Sequence, residues 1–209
     1  MAQPQAAIRR KLLRASRLAK PARARNGRTL PRAFFLTDPN RTKNLIAVIA
    51  NLPRGFGVIY RHFGAANRYV VGAQLARACR QRGLILLVSA DPALAARISS
   101  DGVHWPEARL TGVRPHHPRF IETAAAHSRA AIARAHRIGM DAVIVSTVFP
   151  SHSPSAGKAL GPLRFRLTAR NAPLPVYALG GINADTAARA MSGAAGWAAI
   201  DAVLDGWGS

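Results

Sequence analysis

The stretch Leu174-Pro175-Val176-Tyr177-Ala178-Leu179-Gly180-Gly181-Ile182-Asn183 decides the fold. An apolar run rich in β-forming residues ends in two glycines, and a polar residue then opens the alanine-rich segment 184–191. That order predicts a strand, a tight turn and a helix start. Glycine permits positive φ and has no Cβ to hold an anion away from backbone N–H groups. A helix N-terminus adds unpaired donors, and Asn183 suits the N-cap position. An ordinary strand-to-helix connection reads the same way locally. This turn, however, lies near the chain's end, and in a (β/α)8 barrel the loops after strands seven and eight commonly hold a phosphate.

Working outward, strand signals recur at 141–145, 120–126, 102–105, 84–88, 56–63 and 33–39, and one more follows at 194–200. Helix-compatible segments lie at 44–52, 67–82, 92–98, 128–138, 163–169 and 202–204, with a polar loop at 146–161. In 67–82, Val70, Val71, Leu75, Ala78 and Cys79 recur at spacings of three and four, and Gly83 stops the helix. Alternation of this kind predicts an α/β protein whose parallel sheet is covered by its crossovers. Closing eight strands leaves no open edge, so one (β/α)8 barrel domain is expected over 33–209. The rival is an open doubly wound sheet, and the missing early G-x-G-x-x-G argues against its dinucleotide-binding form.

The chain has 209 residues, enough for one domain with a substantial core. No apolar run reaches the roughly eighteen residues that cross a bilayer. No continuous apolar secretory segment is present either, so no membrane contact and a cytoplasmic location are expected. Cys79 is the single cysteine, which excludes a disulfide framework and a multi-cysteine metal site; it reads as a small buried hydrophobe.

The net charge of +21 is unevenly placed. Residues 1–32 hold ten Lys or Arg and no acid, supplying +10, and the other twenty bases less nine acids supply +11. The segment has no aromatic residue for base stacking. It reads as a disordered basic arm that attracts polyanions in a salt-dependent way, and its composition also resembles a transit peptide.

Several stretches together carry a family resemblance. They are Phe35-Leu36-Thr37-Asp38, Arg61 after the second strand, Asp101-Gly102-Val103-His104, Ala126-His127-Ser128, Val148-Phe149-Pro150-Ser151-His152-Ser153, Ala178-Leu179-Gly180-Gly181-Ile182, and 193–202. In this order they resemble the thiamine-phosphate synthase and TenI (thiazole tautomerase) superfamily, (β/α)8 proteins of thiamine biosynthesis. The resemblance implies that a phosphorylated thiazole or thiamine phosphate is held by backbone amides of Gly180, Gly181, Ala199 and Ile200. It implies further substrate contacts at Arg61, Ser89, Ser151, Ser153 and Lys158, and a homodimer. Where the family usually has a small hydroxyl residue after the last strand, this chain has Asp201.

Departures from the pattern bear on the chemistry. A synthase needs Mg²⁺ on its pyrophosphate leaving group and hard oxygen ligands to hold it. The matching carboxylate positions read Ala90 and Arg109, with Asp91 and Glu107 nearby, so the simpler inference is that no metal site remains. The second strand ends Tyr60-Arg61-His62-Phe63 where synthases resemble Gln-Arg-Glu-Lys, and a Thr-x-Thr-Lys pattern becomes Ser151-His152-Ser153-Pro154.

The leading expectation is therefore a TenI-like thiazole tautomerase, an isomerase needing no cofactor. His127 matches the tautomerase acid/base position, and imidazole titrates near neutrality. The alternatives are a true synthase, a transferase with Mg²⁺ held through Asp91, Glu107 or substrate alone, and a barrel that binds or regulates without catalysis. His104 reads as structural, and the His116-His117 pair and His136 have no partner that the sequence identifies.

Overall fold

A computed structural model describes residues 3–110, 117–151, 153 and 156–208. Eight parallel strands close into a barrel in chain order: β1 (Ala33–Leu36), β2 (Gly57–Tyr60), β3 (Ile85–Ser89), β4 (Gly102–Trp105), β5 (Ile121–Ala126), β6 (Ala142–Val145), β7 (Val176–Ala178) and β8 (Gly196–Ala199). β8 returns to pair with β1, setting Ala199 opposite Phe35. Nearly every strand residue is buried, because the sheet has side chains inside and helices outside. Phe34, Leu36, Ile59, Leu87, Ile144 and Tyr177 pack inward, and alternate residues such as Phe35, Val58, Val88 and Val143 join the larger core beneath the helices. The Phe34 and Tyr177 rings meet edge to face at 5.0 Å, and the Tyr177 hydroxyl donates to the Pro31 carbonyl.

The outer layer is α2 (Leu45–Asn51), α3 (Arg68–Arg82), α4 (Pro92–Arg97), α5 (Arg129–Arg137), α6 (Pro162–Asn171), α7 (Ala187–Ala190) and α8 (Asp201–Trp207). Side chains of Asn44, Asp91 and Ser128 accept backbone N–H bonds at the starts of α2, α4 and α5, and Gly83 ends α3 in the left-handed conformation. Between β4 and β5 the described residues form only the 3₁₀ turn Glu107–Arg109. His116, His152 and Pro154 of the sequence analysis lie outside the described residues. Among those described, no helix is long and apolar enough to cross a membrane.

The basic arm is not a disordered tail, and the sequence expectation is corrected on this point. Its first part is α1 (Gln3–Leu18), which packs on α7 and α8 with Leu12 and Ala15 fully buried. The buried Ser16 hydroxyl accepts a hydrogen bond from Trp197 Nε1 at 3.0 Å. Residues 19–32 then run to the N-terminal rim of the barrel. There the Arg25 guanidinium meets Asp141 at 3.0 Å and Glu122 at 3.4 Å, and Arg28 pairs with Asp101. Charge dominated the arm's composition and hid an apolar stripe, Ile8, Leu12, Ala15 and Ala19, at spacings of three and four. The acids that fix residues 19–32 lie far along the sequence.

Candidate functional site

The C-terminal strand ends open onto a cavity of about 370 Å³. Gly180 and Gly181 form one wall, Ala199 and Ile200 another, and Arg41, Arg61, Ser151 and Ser153 also line it. Gly180 and Gly181 have φ of 92° and 61°. A Cβ on Gly180 would lie 2.7 Å from Thr147 Cγ2, and one on Gly181 would run into the Pro150 carbonyl. Only glycine fits there. The N–H groups of Gly181 and Ile182 have no protein acceptor among the described residues. Asn183 Oδ1 accepts from the N–H groups of Asp185 and Thr186, closing the turn; α7 therefore starts later than the predicted 184.

Asp201 lines the cavity, but it is paired. Arg41 Nη1 lies 3.1 Å from Asp201 and its guanidinium 3.0 Å from Asp38, linking the loop after β1 to the start of α8. A carboxylate that would repel phosphate is thus partly neutralised. Arg61 is fixed by its Nε bond to the Thr37 carbonyl and lies 3.7 Å from Asp38. Burial pushes the Asp38 carboxyl up, but the Arg41 and Asn40 hydrogen bonds and the Arg41 and Arg61 charges outweigh it and leave the pKa lowered. Asp205, also in the lining, is raised by burial and then by neighbouring Asp201.

The other predicted residues are dispersed. Ser89 is buried, and its carbonyl accepts from Arg68 Nη2 at 2.8 Å. Lys158 is exposed and outside the cavity lining. His127 stands at the end of β5 beside a separate recess between α5 and α6. Its Nδ1 is 2.7 Å from Glu107 Oε2, which also accepts the His127 backbone N–H, and Arg134 holds the other Glu107 oxygen at 3.1 Å. Burial raises the Glu107 pKa, but the bonds from His127 and the Arg134 charge prevail and lower it. A carboxylate that orients one ring nitrogen leaves the other for proton transfer. His104 is buried inside the barrel on Thr123, and burial, followed by the Arg61 charge, lowers it to about 3.

The carboxylates nearest the implied metal position are engaged by other groups of the chain. Asp91 takes Arg68 on one oxygen and the Leu94 N–H on the other, while Glu107 is held as described above. Among the described residues no group of three His, Cys, Asp or Glu is placed to hold a metal ion. Mg²⁺ needs only one or two carboxylates when substrate phosphates complete its shell, and here those carboxylates would first have to release Arg68, Arg134 and His127.

Sequence reasoning missed Arg41, Asp205 and the partnership of Glu107 with His127. Only the Asp38-Pro39-Asn40-Arg41 loop hinted at the first; the Arg41–Asp201 contact spans 160 residues and needs the barrel to close.

Comparison with known proteins gives a family match. A sequence model described as thiamine monophosphate synthase matches residues 33–203. A thiamine-phosphate synthase of Alcanivorax borkumensis is 30% identical over 182 residues, covering 82% of this chain and 84% of that one. Another, of Thiobacillus denitrificans, is 32% identical over 193 residues, covering 85% and 90%. Among solved structures, thiamine phosphate pyrophosphorylase from Pyrococcus furiosus superposes with a TM-score of 0.70 at 24% identity, covering 84% of this chain and 87% of that one, which supports the barrel fold.

Proposed function

The chain belongs to the thiamine monophosphate synthase family of thiamine biosynthesis, and from that premise we propose that it forms thiamine phosphate by joining a pyrimidine pyrophosphate to a phosphorylated thiazole. This reading replaces the tautomerase as the leading one because the matched relatives are named synthases. The observation that carries it is the cavity whose lining joins Gly181 and Ile182, with N–H groups that have no acceptor among the described residues, to Arg41 and Arg61. The thiazole phosphate takes the amides of Gly181 and Ile182, and its ring lies toward Leu36 and Ala198. Arg61 and Arg41 supply fixed positive charge for the pyrophosphate as it leaves. Asp91 and Glu107 are engaged by Arg68, Arg134 and His127, so these guanidinium groups are the charge the chain itself supplies, beside the Mg²⁺ that the pyrophosphate would carry in with it.

Titrating the full chain with thiazole phosphate and with the unphosphorylated thiazole tests the anchor. Only the phosphate ester should stabilise the fold, by about 2.7 kcal/mol at a hundred times its dissociation constant. Gly181→Ala should remove that effect. Equal responses to the two compounds would sink the anchor.

The His127–Glu107 pair favours a second reading, thiazole isomerisation with His127 as acid/base. Turnover of the thiazole alone, lost in His127→Ala, would establish it.

A further inference from the structure

α5 and α6 carry six arginines, Arg129, Arg134, Arg137, Arg164, Arg166 and Arg170, and neither helix has an acid. Among the described residues only Arg134 of these meets a carboxylate. Between the helices lie two recesses of about 260 and 230 Å³ that share Arg129, Ile132, Leu167 and Thr168 and so form one groove. Ile132, Val145 and Leu160 make its apolar floor, and no carboxylate lines it. On α6, Leu163 and Leu167 are 65% and 46% exposed and are four residues apart, which puts them on one face of the helix.

We propose that this groove docks an acidic amphipathic helix of a partner protein. Leu167 in the lining, Leu163 one turn away on α6 and the apolar floor call for apolar anchors at helical spacing, and Arg129 and Arg164 in the lining, with the other arginines of the two helices around them, call for Asp or Glu flanking those anchors. A second copy of this chain would bring the same cations to the face and be repelled. Nucleic acid would satisfy the arginines but leave Leu163 and Leu167 without a partner. α6 has ten residues, so the groove accommodates about three helical turns.

The test uses the full chain and synthetic peptides of about 15 residues. One places leucines at i, i+3, i+4 and i+7 among glutamates; the others are its scrambled form and polyglutamate. The patterned peptide should bind at least roughly tenfold tighter than either control, as buried apolar anchors demand. It should also slow amide exchange in α5 and α6. The double variant Leu163→Ser/Leu167→Ser keeps every charge and should lose that advantage while binding polyglutamate as before. Equal binding of patterned and scrambled peptides, protection elsewhere, or unchanged affinity in the double variant would overturn the proposal. Duplex DNA that binds more tightly than the patterned peptide at the same salt and itself slows exchange in α5 and α6 would overturn it too, assigning the face to polyanions.

Discussion

A carboxylate beside a phosphate raises the cost of binding, and how far depends on what neutralises the carboxylate. Asp201 shares Arg41 with Asp38, so its charge is only partly offset and still bears on a phosphate bound in the cavity. Asp201→Ser should therefore strengthen binding of thiazole phosphate by roughly three- to tenfold, and Arg41→Ala should weaken it at least about tenfold, both read by calorimetric titration. His104 gives a prediction of another kind. Its pKa is near 3 in the barrel against 6.5 when exposed, burial being the main cause. Across that window the unfolded chain binds more protons than the folded one, so stability falls as pH drops from 6.5 towards 3. Replacement by Asn should lower the slope of stability against pH by up to about one proton, measured from urea midpoints.

At the scale of elements, the barrel was legible because a doubly buried parallel strand announces itself locally as a short apolar run. Phe34-Phe35-Leu36 and Val143-Ile144-Val145 show it, and so does the Gly180-Gly181 turn. Boundaries were less legible: β2 stops at Tyr60 instead of reaching Phe63, because Arg61 turns to bond Thr37. α1 was not legible at all, since its buried stripe lies within a basic sequence and its partners are α7 and α8 at the far end of the chain. The same holds for the site, where the glycine turn is local but the Arg41–Asp201 and Glu107–His127 pairs are tertiary. Because Leu12 is fully buried, Leu12→Ala should cost about 2–5 kcal/mol in urea unfolding. Ser16→Ala leaves the buried Trp197 N–H without its acceptor and should cost about 1–3 kcal/mol.

At the scale of the whole molecule, every acid except Asp205 is in an ion pair among the described residues. Asp101, Glu122 and Asp141 at one rim meet arm arginines, and Asp38, Asp91, Glu107 and Asp201 at the other meet Arg41, Arg68, Arg134 and His127. The arm is thus part of the barrel's electrostatics, although the family match begins at residue 33. A chain starting at residue 33 leaves buried Asp141 without Arg25 and should lose at least about 3–5 kcal/mol, or fail to fold, as circular dichroism and denaturant titration would reveal. The activity itself is tested most directly by incubating the full chain with pyrimidine pyrophosphate, thiazole phosphate and Mg²⁺ and following products by mass spectrometry. Thiamine phosphate and an equal amount of pyrophosphate are expected. Recovery of both substrates unchanged, or of an isomerised thiazole alone, would contradict that activity.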